Sequence, residues 1–434
     1  MSHRRSLLAA LALCSLALPF AACASASKGS PAAAGEDAGS GAPEEDSAVA
    51  ENPGPPCPAS GIAKGPWAIG MTRTSTTVRW ESCRAGATPG LVFHPEGGGA
   101  DVQVATTERP HVLKERHTAV LGPERSPDDV PGTVYMHDAA ISGLVPGTCY
   151  LYELAADTTR AGRFCAAQPD GGRVHFLNVG DTNPLLGDAT TKLLAKVVPM
   201  RADFVVHGGD IEYYDSYLET WAGWFPAMQP LLSLGAFQPA LGNHELETPD
   251  ELVDYSLRFF GHPNFGGEAS WYRYESGGVW FHVLDTEQPI EPGTVQGDWL
   301  TAGLAEVAQK AGFRTSIVVM HRPLVTCGDT AQNDSARKAH ASAFAQYKVP
   351  FVIQAHVHGY ERFEIDGVTY VTSGGGGGLI GNMDENISRA ECPMRKVSGA
   401  FFHAMDVVVD GTGIHATVID ETGATRDSFT LALP

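Results

Sequence analysis

The sequence of 434 residues predicts two folded parts, an all-β sandwich over residues 57–167 and an α/β domain over residues 174–434. Short β-prone runs separated by glycine and proline turns fill the first part. In the second part, apolar strand-like runs alternate with helical stretches, a pattern typical of layered α/β folds. The 49 glycines and 29 prolines also favour a turn-rich architecture over long helices.

The charge balance excludes one class of function. The chain carries 30 Lys and Arg against 50 Asp and Glu, which gives a formal net charge of −20. Because a surface of this sign repels a polyanion, we expect no scaffold-type binding of nucleic acid. The composition leaves the oligomeric state open.

Residues 1–22 are predicted to be a signal peptide. A basic start precedes the apolar run 7–20, which is too short to span a bilayer in the mature protein. The run ends in Phe-Ala-Ala-Cys23, which resembles a bacterial lipobox and implies cleavage before Cys23 with a lipid on its sulfur. The alternative is ordinary secretion, with cleavage after residues 24–26. Either way we expect an exported protein, periplasmic or at the cell surface, anchored by lipid at the outer membrane or secreted.

Residues 23–56 are predicted to be a flexible linker. They consist mainly of Ala, Gly, Ser, Pro and acidic residues, and Val49 is the only large apolar residue among them. Such a segment cannot bury enough apolar surface to offset the entropy lost on ordering.

The cysteines predict a disulfide framework. Six of the eight lie beyond the signal region, and an even count in an exported chain suggests disulfides. Cys149 and Cys165 lie in neighbouring strand-like runs that could form a hairpin, whereas membership of the same part of the chain suggests the other two pairs. The predicted pairs are Cys57–Cys83, Cys149–Cys165 and Cys327–Cys392. The sequence has no C-x-x-C motif, so we expect no zinc or thioredoxin-type use of these residues.

The first folded part contains no cluster of catalytic or ligand-type residues. Its β-prone runs are 76–80, 90–93, 102–104, 118–120 and 141–152. The last of these, I-S-G-L-V-P-G-T-C-Y-L-Y, resembles the corner of fibronectin type III modules. We therefore expect a fibronectin III-like domain over 57–167 that acts in support or docking.

The second folded part alternates buried strands with helices. The predicted strands are 174–179, 204–207, 279–284, 316–320, 351–354 and 368–372. The predicted helices are 187–200, 215–234, 294–312 and 333–348. Ligands of such sheets gather beyond the carboxyl ends of the strands.

Polar residues form five clusters, each closing a strand-like run or a turn. These clusters are 180–183, 209–213, 242–245, 318–321 and 355–358. Each one alone is weak evidence, since an aspartate after a strand is often a helix cap and a lone histidine is often structural. Together they bring carboxylate, amide, phenol and imidazole groups to one pole, which suits a pair of first-row transition metals. One carboxylate shared by two metals fits the geometry of phosphoester cleavage.

The order of these motifs resembles that of the purple acid phosphatases within the metallophosphoesterase superfamily. Their pattern is D-x-G, G-D-x-x-Y, G-N-H-[DE], V-x-x-H and G-H-x-H, and the resemblance covers residues 174 to about 380. The preceding sandwich matches the usual N-terminal module of the family. The resemblance implies a phosphoric ester hydrolase of the acid phosphatase type, with a layered β-sandwich flanked by helices.

The family pattern implies seven metal ligands in two sites that share Asp210. The first site comprises Asp181, Asp210, Tyr213 and His358. The second site comprises Asp210, Asn243, His321 and His356. His244 would lie outside both sets and protonate the leaving-group oxygen of a phosphate monoester while a metal-bound hydroxide attacks the phosphorus atom.

Two positions depart from the family pattern. Asn183 stands in place of the glycine of D-x-G, and Ala355 in place of the first glycine of G-H-x-H. A related branch has a histidine at position 183 and lacks the tyrosine, so Tyr213 completes the first site here. A tyrosinate ligand favours Fe(III), and the second ion could be Zn, Mn or Fe(II).

Two other functions compete with that of a phosphomonoesterase. The same site could cleave phosphodiesters, nucleotides or phytate-like esters. A non-catalytic surface binding protein would be expected to have lost metal ligands, and all seven are present. Among neighbouring residues, we expect His207 to be a supporting or strand histidine, Trp221 and Trp224 to lie in the core, and Arg322 to form a surface ion pair rather than touch phosphate.

Overall fold

The computed structural model describes residues 57–86, 90–113, 132–213, 220–246, 258–261 and 270–433. The signal peptide and linker predicted for residues 1–56 lie outside this set, as does the β run predicted at 118–120. Within the described part of the chain, no helix is long and apolar enough to cross a membrane.

The first folded part consists of two antiparallel sheets. Its strands are β1 (Ile62–Ile69), β2 (Ser75–Ser82), β3 (Leu91–Pro95), β4 (Val102–Val104), β5 (Thr107–Leu113), β6 (Gly132–Ser142), β7 (Cys149–Leu154) and β8 (Asp157–Cys165). The order is β1-β2-β6-β5 in one sheet and β4-β3-β7-β8 in the other. Trp80 of the first sheet and Phe93 of the second belong to one buried cluster. The all-β architecture is as predicted, whereas a separate domain of fibronectin III type over 57–167 stays a prediction.

The three predicted disulfides are present. They are Cys57–Cys83, Cys149–Cys165 and Cys327–Cys392. Cys149 and Cys165 are direct partners in the register of the β7–β8 hairpin, which is the arrangement that their positions in neighbouring runs indicated. The third bridge joins the chain after the strand 315–319 to a short helix near residue 392.

In the described residues, the second folded part contains two larger sheets and four α-helices. Its strands are β9 (Val174–Val179), β10 (Phe204–His207), β11 (Ala236–Pro239), β12 (Tyr272–Ser276), β13 (Val279–Val283), β14 (Thr315–Val319), β15 (Phe351–Gln354), β16 (Tyr360–Ile365), β17 (Val368–Ser373), β18 (Arg395–Gly399), β19 (His403–Val409), β20 (Ile414–Asp420) and β21 (Thr425–Leu431). The helices are α1 (Ala189–Val197), α2 (Thr220–Leu232), α3 (Val295–Val307) and α4 (Asp334–Gln346). The sheet orders are β11-β10-β9-β19-β20-β21 and β12-β13-β14-β15-β17-β16-β18.

These two sheets pack face to face through aromatic side chains. The ring centroid of Phe281 on β13 lies 5.3 Å from that of Phe176 on β9 and 5.5 Å from that of Phe204 on β10. Because side chains alternate along a strand, Leu177 points to the opposite face from Phe176 and packs in a different cluster. Strands buried on both faces explain the continuous apolar runs in the sequence.

Helices cover the outer faces of both sheets. Leu193 and Leu194 of α1 pack with Leu177 of β9, and Leu300 and Leu304 of α3 pack in the cluster that covers the outer face of β14. The order of layers is therefore helix, sheet, sheet, helix. This arrangement confirms the predicted fold class, a layered β-sandwich flanked by helices.

The first part packs against α2 through β1. The ring centroid of Trp67 lies 4.7 Å from that of Phe225, and its Nε1 donates to the carbonyl of Phe259 at 3.1 Å. Trp221 and Trp224 are buried on the same helix, which confirms their predicted place in the core. Every predicted strand of the second part is present, and each of its four observed helices lies within a predicted range.

Candidate metal centre

The five polar clusters of the sequence meet at the carboxyl ends of parallel strands. In one sheet β9, β10 and β11 run parallel, and in the other β13, β14, β15 and β17 do so. Asp181 follows β9, Asp210 follows β10, His321 follows β14 and His356 follows β15. The two facing sheets therefore bring ligand-type side chains from both sides of the sandwich to one edge.

Three side chains surround the hydroxyl of Tyr213 and form a group of four residues with it. This hydroxyl lies 2.9 Å from Nε2 of His358 and 3.4 Å from Oδ1 of Asp181. The same hydroxyl lies 3.4 Å from Oδ2 of Asp210, and Oδ1 of Asp181 lies 3.4 Å from Nε2 of His358. These four residues are those predicted for the first metal.

A second group surrounds His321. Its Nε2 atom lies 3.1 Å from Oδ1 of Asn243, 3.1 Å from Nδ1 of His356 and 3.2 Å from Oδ1 of Asp210. These residues are those predicted for the second metal. Asp210 turns Oδ2 to the first group and Oδ1 to the second, so the structure brings together all seven predicted ligands around one shared carboxylate.

The backbone at this centre adopts conformations that non-glycine residues rarely use. Asp181, Asp210 and His356 have φ angles of 58°, 49° and 69°. Such left-handed conformations cost free energy and cluster at functional sites. Backbone hydrogen bonds between the loops hold two of them: the amide of Asp181 donates to Gly209, and that of Thr182 donates to Asp210.

Contacts outside the cluster orient two of the histidines. Nδ1 of His321 lies 3.1 Å from the carbonyl of Gly208, and Nδ1 of His358 lies 2.7 Å from the carbonyl of Leu379. An Nδ1–H group that donates to a carbonyl leaves the Nε2 lone pair directed at the cluster. Metal-binding histidines are usually oriented in this way.

Burial and negative charge act together on the phenol of Tyr213. Burial, followed by the charges of Asp181 and Asp210, raises the pKa of Tyr213 well above its usual value. At Asp210, burial acts to raise the pKa, but the neighbouring His321 outweighs it and lowers the pKa below its usual range. Burial favours a neutral His321, yet Asp210 raises its pKa to about 9. A cation is the natural complement of such a buried cluster of anionic oxygens.

The donor set fits two metal ions. Two groups of side chains, one with Asp210, His321 and His356 and one with Asp181, Asp210 and His358, each place their ligand atoms within 4.8 Å of one another. Carboxylate, imidazole, amide and phenol donors suit first-row transition metals. A third group in the described residues contains Cys149 and Cys165, but their disulfide removes both thiolates as ligands.

Glu245 holds the loop of Asp210, a role that the sequence motif alone did not reveal. Its carboxylate is buried and accepts from the amides of Asp210 at 3.1 Å, Ile211 at 2.7 Å and Gly242 at 2.7 Å. Burial, and then the charge of Asp210, raises the pKa of Glu245 to about 7. The glutamate of G-N-H-E thereby ties two ligand loops together.

His244 lies beside the ligand cluster but outside it. Its ring centroid lies 4.2 Å from that of Tyr213, and its Nε2 lies 3.8 Å from Oδ2 of Asp210. The side chain is 26% exposed, and its backbone amide donates to Oδ1 of Asp210 at 3.0 Å. The imidazole is therefore close enough to contact a molecule that enters the centre from solvent and binds there.

Smaller residues and a supporting histidine complete the loops. His207 is buried, with Nε2 3.1 Å from Oγ1 of Thr182, and its Nδ1 accepts from the amide of Gly209 at 3.2 Å. The methyl group of Ala355 fills the space beside Gly180 and Gly208, where an added Cβ would lie 3.0 and 2.8 Å from it. This packing explains why the departure at position 355 needs a small side chain.

Arg322 forms the ion pair expected from the sequence, with Glu287 at 2.6 Å. Its Nη1 also lies 3.0 Å from Nε2 of His356. The pair is therefore located at the edge of the metal centre, a position that sequence spacing could not indicate because the two partners lie far apart in the chain.

Comparison with known proteins agrees with this geometry. Residues 174–360 match the model of the calcineurin-like phosphoesterases. The chain is 28% identical over 263 residues to a phosphoenolpyruvate phosphatase of Allium cepa, covering 55% of this chain and 53% of that protein. It is 24% identical over 298 residues to purple acid phosphatase 22 of Arabidopsis thaliana, covering 64% of this chain and 67% of that protein. The chain thus spans about half to two thirds of the length of these relatives.

A solved structure shares the fold. The purple acid phosphatase PPD1 from seeds of yellow lupin, Lupinus luteus, superposes with a TM-score of 0.69 at 20% sequence identity. The superposition covers 85% of this chain and 74% of that one. The likeness therefore extends to the N-terminal sheets as well as to the layered sandwich.

Proposed function

Since the chain belongs to the purple acid phosphatase family of metallophosphoesterases, we propose that it hydrolyses phosphate esters of small molecules with two metal ions. The observation that carries this proposal is the shared carboxylate of Asp210, with one oxygen facing each group of ligands. Such a pair of sites is the arrangement used for in-line displacement at phosphorus.

The residues of the cluster have distinct proposed roles. Asp181, Tyr213 and His358 would hold one ion, Asn243, His321 and His356 would hold the other, and Asp210 would bridge them. When bound, the ions would lower the pKa of coordinated water to about 7 and neutralise charge on the phosphoryl group. The chain contributes the fixed positions of the ligands, since strand ends and Glu245 hold the loops in place.

His244 is the proposed acid for the leaving group. It lies beside both carboxylate and phenol ligands without belonging to either group, and it is partly exposed. A departing alkoxide needs a proton, and a positioned histidine can supply it with a rate gain of typically ~10²–10⁴.

The metal at Tyr213 is proposed to be Fe(III). In the absence of metal, burial and the negative charges of Asp181 and Asp210 keep the phenol of Tyr213 protonated. A hard trivalent ion would compensate these negative charges and would bind the phenol in its anionic form. The second group has one carboxylate, one amide and two imidazoles, a set that suits Zn, Mn or Fe(II).

One experiment tests the proposed activity and its substrate class. The purified protein is analysed for metal content and assayed with phosphomonoesters and phosphodiesters across a range of pH. We expect two metal ions per chain and preferential cleavage of monoesters. Preferential cleavage of diesters would replace the monoester proposal, and a protein that holds two metals but cleaves no ester would refute the enzymatic function.

The proposed place of action is outside the cytoplasm. Three disulfides support export, since such bonds persist in oxidising compartments. The proposed lipid anchor is at Cys23, in the segment outside the described residues. Cell fractionation tests it: wild-type protein should sediment with membranes and Cys23→Ser should be soluble. Soluble wild-type protein that begins at residue 27 would contradict the anchor.

A further inference from the structure

The guanidinium of Arg322 lies at the open edge of the metal centre. Its Nη1 lies 3.0 Å from Nε2 of His356, and the other nitrogen of that ring, Nδ1, lies 3.1 Å from Nε2 of His321. The guanidinium therefore contacts the ligand cluster through the outer nitrogen of His356. The side chain of Arg322 is 41% exposed, so a molecule that enters the centre from solvent can reach it.

Glu287 fixes the direction of this guanidinium. Nε and Nη2 of Arg322 donate to the two carboxylate oxygens of Glu287 at 2.6 and 3.1 Å. The backbone amide of Arg322 donates to Oγ1 of Thr286 at 2.9 Å. A two-point pair of this kind sets the plane of the guanidinium and leaves Nη1 directed at the centre.

The segment that carries Glu287 is itself anchored to the fold. The amide of Asp285 donates to Oε1 of Gln296, and Nε2 of Gln296 donates back to the carbonyl of Asp285, both at 2.8 Å. The amide of Glu287 donates to Oδ1 of Asp285 at 2.9 Å. Because each member is held by its neighbour, Arg322 is positioned before any ligand arrives, which reduces the entropy lost on binding.

A role in orienting a metal-bound His356 does not fit the donor chemistry. A histidine that binds a metal through one nitrogen carries its proton on the other and donates it to an acceptor. Arginine has only donors, so Nη1 of Arg322 and a protonated Nε2 of His356 would oppose each other. If His356 held a metal ion through Nδ1, Nη1 of Arg322 would require a different partner, and that partner must be an acceptor.

We propose that Arg322 binds a phosphoryl oxygen of the substrate, and of the inorganic phosphate product, on the His356 side of the centre. This inference rests on the proposed phosphoesterase function and adds a residue outside the metal ligand set. A fixed guanidinium matches the geometry of phosphate oxygens and forms strong charge-assisted hydrogen bonds with them. It also supplies local positive charge to a chain whose net charge is −20.

Binding of inorganic phosphate to the metal-loaded protein tests this role. In Arg322→Gln, we expect the dissociation constant of phosphate, measured by calorimetry, to rise roughly 10- to 100-fold, which corresponds to loss of a hydrogen bond to a charged group. KM for a phosphomonoester should rise with it, and kcat should change less. Arg322→Lys keeps the charge without the fork and should weaken binding less than Arg322→Gln.

Arg273→Gln is the matched control. Arg273 also pairs with a glutamate, Glu306, at 2.6 Å and is partly exposed, but it lies on β12 away from the ligand cluster. The control should bind phosphate as the wild type does. Metal content and unfolding temperature are measured for every variant. If Arg322→Gln loses metal or fails to fold, the dissociation constant of phosphate for Arg322→Lys is compared with that of wild type instead.

Two results separate this inference from the function on which it rests. Wild-type protein that holds two metal ions but cleaves no ester refutes the proposed function, whatever the variants do. Active wild-type protein, together with Arg322→Gln that keeps its metals and binds phosphate as tightly as wild type, overturns the role of Arg322 alone. Weaker phosphate binding in Arg322→Gln, but not in Arg273→Gln, supports it.

Discussion

A histidine buried in its neutral form should make the protein less stable in acid. His282 lies on β13 with no solvent exposure, and its ring centroid is 6.2 Å from that of Trp299 on α3. Burial, with a smaller effect from the charge of Arg273, lowers the pKa of His282 to about 3. The folded state therefore resists protonation of this ring at any pH at which an acid phosphatase would work.

The size of the effect follows from the two pKa values. In the unfolded chain a histidine has a pKa of about 6.5. Between about pH 6.5 and pH 3, the unfolded state binds a proton at this histidine that the folded state does not bind. The free energy of unfolding therefore falls as the pH falls. Relative to pH 7.5, the loss at pH 5 amounts to about 2 kcal/mol for this one side chain.

The substitution His282→Gln removes the proton-binding group. The free energy of unfolding, measured with urea on metal-loaded protein, should be lower than that of wild type at pH 7.5 because the packing changes. At pH 5 the difference between variant and wild type should move by about 2 kcal/mol in favour of the variant. As a control, Trp299→Phe alters the same packing without a titratable group and should cost the same at both pH values. If His282→Gln shows an equal difference at pH 7.5 and pH 5, the reasoning is refuted.

Three further predictions concern the metal centre. Tyr213→Phe should remove any visible absorption due to tyrosinate bound to Fe(III), whereas Tyr274→Phe, at another buried tyrosine, should keep it; a colourless, iron-free, active wild type would contradict the iron assignment. His244→Ala should retain both metals in elemental analysis and lose kcat mainly for esters with poor leaving groups; an equal loss for good leaving groups would exclude it as the acid. Glu245→Ala leaves three buried amides without their acceptor and should lower the free energy of unfolding by roughly 3 kcal/mol or more in urea titration; a change below about 1 kcal/mol would show that other groups hold the loop.

The meeting of the five polar clusters at one pole was predictable from the strand pattern, whereas the choice of the seven ligands came from the resemblance to the family. Residues that follow parallel strands meet at one edge of a sheet. Asp181 follows β9 and His358 follows β15, which belong to different sheets, so their contact also requires the two sheets to pack face to face. The disulfide between Cys149 and Cys165 was predictable for a related reason, since a hairpin fixes the register of its two strands. The other two disulfides followed only from membership of the same part of the chain.

Other features depend on contacts that no local pattern indicates. Strands β18 and β21 lie at or near the edge of their sheets with many partly exposed polar side chains, so their sequences lack the apolar runs that marked β9 or β14. Glu287 and Arg322 are 35 positions apart and belong to different loops. Their pairing depends on how closely the ends of β13 and β14 approach, which is a property of the folded sheet.

The glycines of the motifs follow from the ligands that they accompany. A Cβ added to Gly242 would collide with Oδ1 and the amide of Asp210, and one added to Gly378 would lie 2.6 Å from the ring of His358. The side chains of the cluster therefore occupy the space that a larger residue would need. The carboxylate of Asp210 can face both groups of ligands only because the neighbouring residue Gly242 has no side chain. The glycine and the ligand therefore depend on each other. We infer that Gly242→Ala would displace Asp210 and impair both metal sites together, although Gly242 itself is not a predicted metal ligand.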